Sequence, residues 1–186
     1  IKDFREGKLG SNILIEGQEI IDDIVKNKKQ VIFISGHLAN FELMAMHLEK
    51  SGINLSAIYR PLNNIFLNPI MEYIRKKYIC KIQIKKGISG TKDILKNFNK
   101  GASIALMIDQ RVTQGIKCDF FNKKAFTTTI PAQFVKKYGV KVVPIYIERI
   151  VGNNFKLRIN DPIKFKNEDT IETITLKLNK TLELMI

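Results

Sequence analysis

Two rhythms of hydrophobic and polar positions alternate along the chain, and their order predicts the elements. Residues 31–34 form a β-branched and aromatic run, preceded by Lys28, Lys29 and Gln30 and closed by Ser35 and Gly36, a pattern that predicts a buried strand ending in a tight turn. Residues 102–108 form a second continuous apolar run, which delivers Asp109 and Gln110 at its carboxyl end. Shorter strands are expected at 13–15, 53–59, 80–84, 142–147 and 155–159, with Pro144 placing the 142–147 strand early in its run or at a sheet edge and 155–159 as its partner.

Between the strands the apolar residues recur at helical spacing. Helices are expected over 18–28, 65–78, 91–99, 128–137 with Pro131 in the first turn, and 168–184, whose Ile171, Ile174, Leu178, Leu182 and Met185 share a core-facing side. A further helix starts at Asn40, an N-cap by residue type, carries Phe41, Met44, Ala45 and Leu48 on one face, and stops at Ser51 and Gly52. Buried runs alternating with helices predict one α/β domain over residues 1–186, a mixed, largely parallel sheet flanked by helices.

The chain has 186 residues, 45% of them hydrophobic, enough for one full core. It begins with Ile rather than Met, which is expected of a fragment, and no apolar stretch approaches the roughly 20 residues that span a bilayer. Cys80 and Cys118 are unpatterned, arguing against a disulfide scaffold or a zinc site and for packing roles, and no metal is expected. Thirty-one basic residues against 18 acidic give a net charge of +13. Two readings account for it: a lysine-rich codon bias, or attraction to phospholipid headgroups, a phosphorylated glycolipid or an acidic carrier protein. Nucleic acid is not expected, because no interleaved basic and aromatic motif, zinc-finger spacing or extended basic helix is present.

The candidate chemistry lies where the 31–34 strand ends. His37 precedes Glu42 by five positions; inside one helix they would lie about 140° apart, so His37 must belong to the turn and Glu42 to the first helical turn. There the Glu42 carboxylate can accept the imidazole N–H, leaving the other ring nitrogen to take a proton from a hydroxyl, while helix amides nearby help hold an oxyanion. By spacing alone a structural histidine is as good a reading. Arg60, at a strand end beside Pro61, is placed to grip phosphate through its planar fork, with a solvated loop arginine as the alternative. Asp109 is open to three readings: orienting a substrate hydroxyl, pairing with Arg75, or capping a turn.

The stretch Ser35-Gly36-His37-Leu38-Ala39-Asn40-Phe41-Glu42 resembles the histidine, four residues, acid motif of the lysophospholipid acyltransferase superfamily, in the branch of bacterial lipid A biosynthesis (lauroyl/myristoyl) acyltransferases. Tyr59 to Asn64 with Arg75, and then Met107 to Arg111 with Gly115, Phe120-Phe121, Ala125 and Thr127 to Thr129, resemble two further blocks of that family. The proline-glutamate-glycine block of the 1-acylglycerol-3-phosphate branch is missing. The resemblance implies a glycerolipid acyltransferase-like fold with His37 and Glu42 catalytic and Arg60, Arg75, Asp109 and Asn40 binding substrate. It further implies no cofactor beyond acyl carrier protein or acyl-CoA as co-substrate. The implied partners are an anionic glycolipid acceptor and the membrane surface, and the implied place is the cytoplasmic face of the bacterial inner membrane, held by an N-terminal anchor that this chain is expected to lack. Two rivals remain at this point: an acyl-thioester hydrolase using His37, and a non-enzymatic basic module binding lipid or nucleic acid.

Overall fold

The structure, a computed structural model, describes residues 12–186. Residues 1–11, in which the pattern marks no element, lie outside it. The seven-stranded sheet has the order β1-β9-β8-β2-β5-β3-β4. Its strands are β1 (Ile13–Glu16), β2 (Val31–Ser35), β3 (Leu55–Tyr59), β4 (Ile82–Lys85), β5 (Ser103–Met107), β8 (Lys141–Arg149) and β9 (Phe155–Ile159). Every pairing is parallel except β8 with β9, so the expected mixed, largely parallel α/β sheet is observed.

The two faces of the sheet are covered by different helices. Over one face lie α1 (Gln18–Lys26) and α2 (Glu42–Lys50), whose Ile21, Ile24, Leu43 and Met44 pack on Val31 and Phe33. Over the other lie α4 (Ile88–Phe98), α5 (Ile130–Tyr138) and α6 (Ile171–Glu183), whose Ile94, Phe134, Ile174, Leu178 and Leu182 pack on Ile32, Ile34 and Ile104. β2 is buried at every position, which explains its unbroken apolar run. Each such fully buried Val, Leu, Ile or Phe contributes about 1.5–3 kcal/mol. The α6 stripe is core, as its spacing predicts.

Three local expectations are corrected. The second helix begins at Glu42, not Asn40: Ala39 takes a left-handed backbone (φ 40) and Phe41 holds the N-cap position, while the Asn40 carbonyl accepts from Leu43 N at 3.0 Å. β8 is interior, between β9 and β2; Pro144 is tolerated because it lies one residue outside the β8–β9 ladder, which starts at Ile145 opposite Ile159. A hairpin of β6 (Ile116–Phe120) and β7 (Lys123–Thr127) follows β5, where no element is expected.

The 65–78 segment folds as α3 (Leu67–Ile74), which continues into a π-helical turn, Arg75–Ile79, closed by Cys80 N donating to Arg75 O at 3.0 Å. Asn64 starts it: its Oδ1 accepts from Phe66 N and Leu67 N at 3.0 and 3.1 Å. No α3 residue is buried. The side facing the domain is polar, with Glu72 Oε1 accepting from Tyr59 OH and from Asn68 Nδ2, each at 2.7 Å, and pairing with Lys85 Nζ at 3.2 Å. Those bonds, the one from Tyr59 foremost, hold the Glu72 carboxyl down at about 2, against an ordinary 4.5. Because the folded value is the lower one, this contribution to stability is complete above pH 4.5 and lost as pH falls toward 2. Across that window the wild type is expected to lose thermal stability more steeply than Glu72→Gln, whose amide has no charge to lose. Parallel slopes in melting curves recorded through the window would show that Glu72 does not couple the fold to pH.

Candidate active site

The carboxyl ends of β2 and β5 lie side by side, with Ser35 opposite Met107 in the parallel register. Ile108 N donates to Ser35 O at 2.9 Å, extending the ladder one step, and two residues past the aligned pair His37 meets Asp109. Leu38 N donates back to Gly36 O at 2.9 Å, so His37 is the central residue of a γ-turn rather than part of the following helix. Left-handed Ala39 then swings the chain into α2. A backbone held there costs on the order of 1–3 kcal/mol, offset by the packing of β2 and α2 on either side.

Asp109 grips His37 twice: the His37 backbone N donates to Oδ2 at 2.8 Å, and ring Nδ1 lies 2.7 Å from Oδ1. With the proton on Nδ1, Nε2 is the basic nitrogen, and Gln110 Nε2 donates to it at 3.3 Å. Lys86 Nζ in turn donates to Gln110 Oε1 at 3.2 Å. The His37 and Asp109 side chains are 33% and 22% exposed, so solvent reaches the pair. His47, the other histidine, is buried in α2 against Gln18 Oε1 at 2.7 Å, and burial lowers its basicity. It is a packing histidine, outside the cavity lining.

Glu42, expected to orient the imidazole, faces Arg75 instead, with Arg75 Nε donating to Glu42 Oε1 at 3.5 Å. The reason is positional: the γ-turn and Ala39 put His37 against β5, whereas α2 carries Glu42 toward the π turn. Arg75 stacks on the Tyr59 ring at 5.5 Å, and its buried Nη1 has no hydrogen-bond partner. The guanidinium, held by Glu42 and Tyr59, thus keeps one donor nitrogen unspent at the cavity wall. Arg60 lines the same cavity at an exposed position, while Asn40 is not among its lining residues.

The cavity has a volume of about 540 Å³, a size typical of small-molecule sites. Its exposed end holds His37, Arg60, Lys86 and Gln110, and its interior is walled by Ala45, Ala57, Ile79, Ala105 and Met107. β3 and β5 are inner strands, yet Ala57 and Ala105, paired in register, keep partial exposure because space remains between them and α2. A polar, basic entrance over an apolar floor suits a ligand with a charged head and a hydrocarbon tail. Among the described residues no group of three or more His, Cys, Asp or Glu comes together to hold a metal ion.

Residues 1–186 match the model of the bacterial lipid A biosynthesis acyltransferase family. The chain belongs to that family. It is similar to the lipid A biosynthesis myristoyltransferase of Escherichia coli (strain K12), 21% identical over 176 residues, which are 92% of this chain and 53% of that protein. The lipid A biosynthesis acyltransferase 1 of Shigella flexneri is similar to the same extent, 21% over 176 residues, again 92% of this chain and 53% of that one. The chain thus spans about half the length of the relatives it matches.

Within this family member, the structure brings His37, Glu42, Arg60 and Arg75 into the lining of one cavity, joins Asp109 to it only through His37, and leaves Asn40 out. The sequence reading put Asp109 at the right strand end, and the structure pairs it with His37 rather than with Arg75. It gave no role to Gln110. The available signal was the alignment of two apolar runs: if residues 31–35 and 103–107 are adjacent parallel strands, the polar residues just past each must touch.

Proposed function

We propose that the protein is an acyltransferase, moving a fatty acyl chain from a thioester of acyl carrier protein or coenzyme A to a hydroxyl of a membrane glycolipid such as a lipid A precursor. The observation that carries this reading is the His37–Asp109 pair at the entrance of an apolar-floored cavity. Family membership and the names of the two relatives support it. Both donors are cytoplasmic thioesters, so the reading puts the reaction at the cytoplasmic face of the inner membrane.

The step is direct. Asp109 fixes one proton on His37 Nδ1, and Nε2, exchanging its bond from Gln110 for one from the acceptor hydroxyl, takes the hydroxyl's proton as the oxygen attacks the thioester carbonyl. The C–O bond forms, the tetrahedral intermediate collapses with cleavage of C–S, and the imidazolium returns its proton to the departing thiolate. Asp109 stabilises the imidazolium throughout. Arg75, with Arg60 at the entrance, binds phosphate on the acceptor or the donor, and the acyl chain lies over Ala57 and Ala105.

The test is thiol release from acyl carrier protein and coenzyme A thioesters, with and without a lipid A precursor, with the glycolipid product weighed by mass spectrometry. Release that requires the acceptor and adds one acyl mass to it is expected. Release at the same rate without acceptor would instead make the His37 site a hydrolase, and no release with any lipid acceptor would remove the transferase reading.

A further inference from the structure

α3 is amphipathic with its faces reversed. Asn68, Glu72 and Arg75, at i, i+4 and i+7, turn inward: Glu72 is bonded to Tyr59, Arg75 is paired with Glu42, and Asn68 Oδ1 accepts from Leu62 N at 2.8 Å. Phe66, Ile70 and Tyr73, at the same spacing on the opposite side, point away from the domain, 80%, 55% and 60% exposed, and Ile65 beside them is 74% exposed. A surface helix ordinarily does the opposite, so this one is built to meet an apolar environment beyond the described residues.

We infer that the outward face of α3 inserts into the headgroup and upper acyl region of an anionic lipid surface and seats the cavity entrance against it. Charge selects this occupant. From Arg60 to Lys86 there are seven basic residues and one acidic one, and that one, Glu72, is turned inward. Lys77 Nζ sits 5.3 Å over the Tyr73 ring and donates to its hydroxyl at 3.0 Å, placing a cation at the rim of the apolar stripe. An aromatic and aliphatic stripe edged by lysines is the composition that partitions into lipid interfaces, with tyrosine at the headgroup level and basic residues drawn to anionic lipid. Position agrees: the same segment begins at Arg60 and continues into Arg75, both lining the cavity, so a docked α3 holds the entrance where a lipid acceptor is found. Choosing lipid over protein leans on the transferase reading, but the binding itself is measured without turnover.

The experiment is flotation of the protein with phosphatidylglycerol-containing vesicles and with pure phosphatidylcholine vesicles, for wild type, Phe66→Ser/Ile70→Ser and Lys76→Gln/Lys77→Gln, with circular dichroism confirming the fold of each. The wild type is expected to float with the anionic vesicles. The apolar double variant should lose at least tenfold in partitioning, and the lysine variant should lose most of the dependence on salt and on anionic lipid. Neither variant touches the cavity lining, so release of thiol from a soluble short-chain donor should be unchanged. Loss of flotation with no thiol release in any sample would sink the transferase reading and leave the docking face standing. The inference is overturned if the wild type does not float, if Phe66→Ser/Ile70→Ser floats as well as wild type, or if the stripe instead holds two copies of the chain together in lipid-free solution and that variant makes them monomers.

Discussion

His37→Ala is expected to lower acceptor-dependent thiol release by about 10²–10⁴-fold, the range in which a positioned general base contributes. Asp109→Asn should come within roughly tenfold of it, although His37 itself is intact. The carboxylate makes two bonds to His37, at 2.8 Å to the backbone N and 2.7 Å to Nδ1, which fix both the ring and its tautomer. An amide in its place either turns its NH₂ toward Nδ1, which drives the ring proton to Nε2 and removes the base, or keeps its carbonyl there and loses the charge that steadies the imidazolium. Glu42→Gln behaves differently, because its partner is Arg75 at 3.5 Å rather than the imidazole. Loosening Arg75 should raise KM for the phosphorylated substrate more than it lowers kcat, while the acid limb of the pH–rate profile stays in place. Steady-state kinetics of the three variants through a pH series decide the matter. If Glu42→Gln matched His37→Ala in kcat and Asp109→Asn were mild, the local histidine-to-acid spacing would be the working pair and the cross-strand bond only structural.

That contrast shows where sequence patterning carried and where it did not. Runs long enough to be buried on both faces, such as 31–34 and 102–108, mark the inner strands within a residue or two, and the α6 stripe marks its own core face. The partner of His37 lies 72 positions away and is chosen by strand register, whereas the acid five positions on is merely the nearest in sequence. Asn40 has the composition of an N-cap, but left-handed Ala39 delays the helix, a conformation that an alanine does not advertise. The hairpin stays hidden for a similar reason: its turn residues Phe121 and Asn122 have φ of 48 and 60, a geometry ordinarily signalled by Asn-Gly, and here Phe121 occupies the first position. α3 shows a further limit. Periodicity identifies an amphipathic helix without saying which side faces the domain, and only the bonds of Tyr59, Glu72 and Asn68 reveal that the polar side turns inward.

Ala105→Leu is expected to cut kcat/KM for long-chain donors by roughly 50-fold while leaving short-chain donors nearly untouched. Ala57 and Ala105 are partners in the β3–β5 register, and with Ala45 of α2 they keep the interior of the cavity open where larger side chains would close it. Leucine adds three carbons to that floor, displacing about three methylenes of a bound chain. At about 0.8 kcal/mol per buried methylene this is ~2.4 kcal/mol, or roughly 50-fold. A donor too short to reach Ala105 loses none of it, so the ratio of long-chain to short-chain kcat/KM, read across a series of acyl-CoA or acyl carrier protein thioesters, isolates the effect from any general damage. Overpacking that merely strained the sheet would lower every donor alike together with the melting temperature. A uniform loss would mean that the acyl chain does not lie over the alanine floor. A length-selective loss would make these three alanines the residues that set how long a chain the site accepts.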